Sequence, residues 1–323
     1  MRFGGLARRG IWTNSVRESA KNILVLDAGD LLFKKFSKPV PENELEAVIQ
    51  KARLIIDCFN LMGYDAVAIG DDDLSLGKKF ILELSKTSNV PFLSSNLIDE
   101  DSGKPFFQRY IIKEVNGLKI GIFSLLSPDV FLGLSDPRKK GLIIRDPFET
   151  AQQIIGELGP QTDLIILLSH LGYPKDVEFT QKISRVHIIV GGHSGVHFSD
   201  PPVFKDTIIL QTSSKGMYAA RLNLTLLNNK TSFYNIKTKR SLEDTLKKLQ
   251  LQLASVKASD AERDQWRRAK ESYEKALQQL EGKNYFTNTI FPLNESIKDH
   301  PGIKKMIDDY KSKFPEKKGT TSP

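Results

Sequence analysis

The tightest constraint on this chain is a set of short apolar runs, each of which stops at a carboxylate or an imidazole. Ile23-Leu24-Val25-Leu26-Asp27-Ala28-Gly29-Asp30 ends at Asp30, and Asp65-Ala66-Val67-Ala68-Ile69-Gly70 leads straight into Asp71-Asp72-Asp73. Asp163–Leu168 runs through Ser169 to His170, and Val186–Val190 runs through Gly191-Gly192 to His193. Runs of this length, separated by helical patterns, read as buried parallel strands. In open α/β folds the loops at the carboxyl ends of such strands build the site. Four strand ends could therefore bring carboxylates and imidazoles together on one metal.

From residue 22 to about 235, strand and helix patterns alternate. A helix is predicted from about Glu42, after Pro41, to Met62, before Gly63. Further helices are predicted at Lys78–Lys86 and Pro147–Leu158, and an apolar strand at Pro91–Ser95. Asn116-Gly117 between two apolar runs predicts a hairpin over Tyr110–Phe123 with a type I′ turn. A second hairpin, Thr207–Gln211 with Ala219–Leu227, is expected to close the unit. Crossovers mixed with hairpins imply a mixed sheet sandwich with helices outside.

The remainder reads as helix. Leu242, Leu246, Leu249, Leu253 and Val256 step by four and three, a stripe better suited to docking than to an oligomerising coiled coil. Ser259-Asp260-Ala261-Glu262 has capping-box spacing and opens a helix that carries Trp266, Ala269, Tyr273, Ala276 and Leu280 on one face. Two antiparallel helices or one long bent one fit equally well. A short helix is expected from about Asn294 to Tyr310. The division expected is a domain over 1–235, a basic helical extension over 236–314 and a disordered tail over 315–323.

Apolar residues make up 40% of the 323, enough for a sizeable core. Cys58 is the only cysteine, which excludes a disulfide framework and Cys-x-x-Cys zinc or haem motifs; it reads as a buried small apolar residue. No window reaches the length of a membrane span, and no signal-peptide pattern is visible at Met1. The net charge of +8 is uneven: 27 Lys and Arg stand against 26 Asp and Glu through Asn229, and 20 against 13 from Lys230 onward. These later lysines are interleaved with glutamates and lack aromatic platforms, the pattern of a solvated helix surface rather than of nucleic-acid binding.

Five segments in order carry a family resemblance: Gly4-Gly5-Leu6-Ala7-Arg8-Arg9, Leu26-Asp27-Ala28-Gly29-Asp30, Gly63-Tyr64-Asp65-Ala66-Val67-Ala68-Ile69-Gly70, Leu168-Ser169-His170-Leu171-Gly172 and Gly191-Gly192-His193-Ser194. Over roughly residues 3–227 the chain resembles the 5′-nucleotidase branch of the calcineurin-like metallophosphoesterases. The resemblance implies a four-layer α/β/β/α sandwich, here with a helical C-terminal extension. It also implies two divalent metals that cleave phosphate esters, with an aspartate bridging them.

Carried over residue by residue, the match is partial. Asp30 falls at the bridging aspartate, His170 at the histidine of the third motif, and His193 at the first histidine of Gly-His-x-His. Where the family has Asn-His-Glu, this chain has Asp71-Asp72-Asp73. Asp71 can serve as an oxygen ligand in place of the asparagine. Asp72 stands at the catalytic histidine, where a carboxylate would repel phosphate. Asp72 and Asp73 read as solvated loop carboxylates before they read as ligands. Gly195 stands where a second ligand is expected, with His197 the nearest substitute. The family's first motif, Asp-x-His, should lie upstream of Gly4-Gly5 and does not occur; a late start codon and a degenerate branch both account for this.

One metal position thus keeps Asp30, Asp71, His170 and His193, a set suited to Zn²⁺, Mn²⁺ or Fe²⁺. The second keeps only Asp30 unless His197 or other groups rebuild it. His187, mid-strand, reads as a packed residue, and His300, before Pro301, as a surface residue at a helix boundary. The function expected is metal-dependent hydrolysis of a phosphate ester, nucleotide among the candidates. The alternative is an inactive metal-binding homologue acting as an interaction module, with a protein partner bound through residues 240–310. The resemblance suggests a periplasmic or cell-surface location.

Overall fold

The computed structural model describes residues 5–133, 135–213, 216–228, 230–254 and 259–315. α1 (Leu6–Ser19) leads to β1 (Leu26–Asp27). α2 (Glu42–Met62) buries Ala52, Ile55, Ile56, Cys58, Phe59 and Met62 along one face and stops at Gly63, which is left-handed at φ 66°. β2 (Ala66–Ala68) ends in a 3₁₀ turn over Asp72–Leu74, followed by α3 (Gly77–Ser85), β3 (Phe92–Leu93) and β4 (Leu97–Asp99). β1, β2 and β3 pair in parallel in that order. β1 is shorter than the apolar run that predicts it.

The hairpin of β5 (Tyr110–Val115) and β6 (Leu118–Leu126) turns at Asn116 and Gly117, at φ 52° and 81°, as a type I′ turn requires. β7 (Leu142–Ile144) pairs with β4, and Asp146 then caps α4 (Pro147–Leu158), accepting from the N–H groups of Phe148 and Glu149. β8 (Leu164–His170), α5 (Tyr173–Lys182), β9 (Ile188–Gly191), β10 (Val203–Phe204) and β11 (Thr207–Leu210) follow. The larger sheet has the order β10-β11-β9-β8-β6-β5, parallel in its four central strands and closed by a hairpin at each edge.

The two sheets pack face to face. Ala66 and Ala68 in β2 are fully buried and alternate with Val67, which faces α2 and α3. Their small side chains lie on the face where β2 approaches β6 and β8. On the far side, Ile154, Leu158 and Phe179 from α4 and α5 pack against Phe123, Leu167 and Ile189. Each such side chain contributes roughly 1.5–3 kcal/mol by leaving water. The result is the expected α/β/β/α stack, and it sets the strand ends that carry Asp30, Asp71, His170 and His193 along one rim.

One local expectation is corrected. β11 forms its hairpin with β10, turning at Lys205 with φ 53°. It does not pair with the segment at 219–227; that segment lies in β12 (Tyr218–Thr225), which belongs to another sheet. Both pairings satisfy the same alternation, and the short Lys205-Asp206 turn makes the local one available first.

β13 (Phe233–Asn235), α6 (Ile236–Leu253), α7 (Asp260–Gln278), β14 (Asn284–Pro292) and α8 (Pro301–Lys313) complete the described chain. Three helices therefore occupy the segment expected to be helical, but β14 interrupts them and sits between β12 and β13. Two compact units result: residues 1–219 with 290–323, and residues 220–289. In the second unit α6 and α7 pack as two separate helices, with Leu246 and Leu249 of the leucine stripe buried. Ser259 and Glu262 form the capping box. Val256 and residues 316–323 lie outside the described residues. α8 belongs to the first unit, where Ile303 is buried and His300 caps the helix, accepting from the Ile303 N–H at 3.3 Å. Among the described residues no helix is long and apolar enough to cross a membrane.

Candidate metal centre

Asp30, Asp71, His170 and His193 come together. Each offers one ligand atom, and these four atoms all lie within 4.8 Å of one another. They come from the ends of four different strand runs, so only the parallel arrangement of β1, β2, β8 and β9 makes them neighbours.

The backbone is shaped for this approach. Asp30 and His193 both hold a positive φ, 58° and 64°, a conformation that non-glycine residues adopt at a cost and that gathers at functional sites. Gly70 packs against Asp30 and His170 so closely that a Cβ there would lie 2.6 Å from the Asp30 nitrogen and 2.7 Å from the His170 ring. Only glycine fits.

His170 is fully buried, with Nδ1 2.8 Å from the Ala28 carbonyl oxygen and Nε2 3.2 Å from both Asp30 Oδ2 and Asp71 Oδ1. The carbonyl requires a proton on Nδ1, so a neutral ring would turn the Nε2 lone pair toward two carboxylates. A proton on Nε2 satisfies both carboxylates, and a bound cation would take that proton's place. Burial alone would lower the His170 pKa, but the charge of Asp30 and the hydrogen bonds to Asp30, Asp71 and Ala28 outweigh it and raise it well above the ordinary value. An imidazole fixed through Nδ1–H to a carbonyl is also the usual posture of a metal-ligating histidine. His193 Nδ1 lies 3.4 Å from Asp71 Oδ1. Burial pushes the Asp71 pKa up, yet hydrogen bonds from His170 and His193 and the charges of His170 and Arg138 hold it well below the carboxylate range. Two carboxylate oxygens and two imidazole nitrogens in this posture fit a divalent cation.

Asp72 and Asp73 are buried rather than solvated, which corrects the reading from sequence. The Asp72 carboxylate accepts from the Phe36 N–H at 2.7 Å and from Arg138 Nη1 at 3.0 Å, and its own N–H donates to Asp30 Oδ1 at 2.9 Å. Asp73 accepts four backbone N–H groups, from Asp30, Leu31, Leu32 and Gly70, at 2.8–3.0 Å. It thereby holds the loop that presents Asp30. His197 packs against Tyr218 with the rings tilted, centroids 4.8 Å apart, and is not part of the four-residue group. His187 is structural: its Nδ1 accepts from the Ile165 N–H at 2.8 Å.

Sequence reasoning missed Arg138, Asp136 and Asp176. The first two carry no motif signal, and their roles arise from a loop that folds back on the strand ends. Asp176 accepts from Ser169 Oγ and, at 3.3 Å, from Gln211 Nε2; Gln211 Oε1 in turn bonds Ser194 at 3.2 Å. This chain braces the residues next to His170 and His193. Burial pushes the Asp176 pKa up to about 7, against the pull of its Ser169 and Gln211 hydrogen bonds. The folded chain then keeps a proton that the unfolded chain has released between its ordinary value of 3.8 and about 7, so stability falls as pH rises across that window. Asp176→Asn should remove this slope: urea denaturation should show its stability relative to wild type increasing from pH 5 to pH 8. Parallel pH profiles would refute the assignment.

His193 is 36% exposed in its side chain. His193→Ala should therefore remove bound metal while shifting the unfolding stability of the metal-free chain by no more than about 1 kcal/mol. Elemental analysis beside a denaturation curve measures both.

No family model matches the chain. The 5′-nucleotidase of Vibrio cholerae is 29% identical over 208 residues, covering 59% of this chain and 36% of that protein. The sulfate thiohydrolase SoxB of Thermus thermophilus superposes with a TM-score of 0.70 at 16% identity, over 97% of this chain and 47% of that one. The calcineurin-like phosphoesterase YfkN of Bacillus subtilis superposes with a TM-score of 0.66 at 17% identity, over 97% and 90%. The chain spans little more than a third of the length of the Vibrio relative. In sequence over the matched segment the chain is similar to 5′-nucleotidases, and in fold over nearly its whole length it is similar to solved 5′-nucleotidase and calcineurin-like phosphoesterase structures.

Proposed function

We propose that the chain is a metal-dependent phosphoester hydrolase of nucleotidase type, with Asp30, Asp71, His170 and His193 holding one divalent cation. The observation that carries this is the convergence of four ligand atoms from four strand ends, with His170 Nε2 3.2 Å from both Asp30 Oδ2 and Asp71 Oδ1. A divalent ion bound there would polarise a phosphoryl oxygen and lower the pKa of water. The protein's part is to hold that ion through a rigid rim: Asp73 fixes the Asp30 loop, Ala28 orients His170, and the Asp176–Gln211–Ser194 chain braces the His193 loop. Zn²⁺, Mn²⁺ and Fe²⁺ all suit the donor set. A nucleotide substrate and a location outside the cytoplasm are supported by the resemblance and by relatives that include snake-venom 5′-nucleotidases.

A second reading, a metal-binding homologue without turnover that binds a protein through residues 240–310, is favoured by one observation. The Asp72 carboxylate is taken up by Phe36 and Arg138, so this position supplies no free acid to a leaving group. The test is bound metal per chain by elemental analysis, with His193→Ala as control, beside hydrolysis of an aryl phosphate and of nucleoside monophosphates. Metal lost in the control together with turnover supports the hydrolase. About one equivalent without turnover supports the second reading, and no metal sinks both.

A further inference from the structure

We propose that Arg138 is a positioning residue for the metal centre: it grips Asp71 by one carboxylate oxygen so that the other is presented to the ligand cluster. The proposal rests on the reading of Asp30, Asp71, His170 and His193 as a metal site. Asp71 is divided between two neighbourhoods. Its Oδ1 faces His170 and His193, at 3.2 and 3.4 Å, while its Oδ2 accepts from Arg138 Nη1 at 2.5 Å. A carboxylate held at one oxygen can offer only the other, which defines both the ligand atom and its direction.

The arginine itself is immobilised. It is 3% exposed. Its Nε and Nη2 engage Asp136, at 3.0 and 2.7 Å, and Nη1 also reaches Asp72 at 3.0 Å. The guanidinium lies over the rings of Phe36 and Phe131, 4.7 and 5.1 Å from their centroids. Asp136 is anchored in turn by the N–H groups of Leu132 and Arg138. A planar fork, pinned at one end by a carboxylate and across its plane by aromatic rings, transmits the position of Asp136 to Asp71. A lysine cannot do this, because a single ammonium does not present donors to Asp136 and Asp71 in a fixed plane.

A role confined to stability would leave the cation affinity of the folded protein unchanged. A role confined to charge would make removal of Arg138 tighten cation binding. Positioning predicts the opposite sign. The experiment titrates Mn²⁺ into the metal-stripped full chain by calorimetry, with circular dichroism to confirm folding. Arg138→Met should weaken Mn²⁺ binding by roughly 10–100-fold, and Arg138→Lys should restore no more than a small part of it. Asp136→Asn, which loosens the fork without touching Asp71, should weaken binding in the same direction and less. If Arg138→Met does not fold, Asp136→Asn decides. Unchanged or tighter binding in a folded variant overturns the proposal while leaving the site standing; no binding to the wild-type chain overturns the site and the proposal with it.

Discussion

Asp73→Ala is expected to lower unfolding stability by about 4 kcal/mol or more and to empty the metal centre. The side chain is 1% exposed and accepts four backbone N–H groups, two on each oxygen. Every N–H left buried without a partner costs about 1–3 kcal/mol, and water entering the cavity would recover part of that. Three of the four donors belong to Asp30, Leu31 and Leu32, so the loop that carries Asp30 loses its anchor in the same step. With two donors on each oxygen, the ionised carboxylate is the form that fits, although burial and the Asp30 charge push its pKa up to about 7. Asp73→Asn should fall between wild type and Ala, because the amide oxygen still accepts while the amide nitrogen confronts two N–H groups. Urea denaturation and metal content check both variants. A loss below about 1 kcal/mol for Asp73→Ala would show that water replaces the carboxylate without penalty.

His170→Ala should remove all bound metal and cost roughly 3 kcal/mol or more. Its ring is fully buried between Asp30 and Asp71 and is held by the Ala28 carbonyl. Deleting one member of a buried charged group leaves the others uncompensated, an effect of about 3–5 kcal/mol. The cavity adds to it. The contrast with His193→Ala separates ligation from packing, because His193 donates to the same group from the surface and fills no core volume. Equal stability losses in the two variants would show that the burial of His170 contributes nothing of its own.

Much of this was legible in the chain. The alternation of apolar runs with amphipathic stretches predicts α2, α4 and the β5–β6 hairpin close to where they stand, because helix periodicity, Gly63 and Asn116-Gly117 are local signals. The four-residue group was also within reach, since each member lies at the carboxyl end of a strand or within three residues of it. Other features were not. β14 reads as a connection because its partners are strands far away in the chain, and a strand without its neighbours has no periodicity strong enough to announce it. Asp72 and Asp73 read as solvated because burial of a carboxylate depends on which N–H groups and which arginine fold over it.

Residue type and order alone thus specified a mixed sheet sandwich with helices outside and the strand ends that carry Asp30, His170 and His193, because hydrophobic burial and turn chemistry act over a few residues; the four layers and the choice of Asp71 came from the family resemblance. Packing settled the rest: that Asp71 offers one oxygen to the cluster and gives the other to Arg138, that Asp73 anchors the Asp30 loop, and that Asp176 braces the histidine loops. These are buried hydrogen bonds between segments tens of residues apart. Their geometry and the pKa values they set exist only once the core has excluded water.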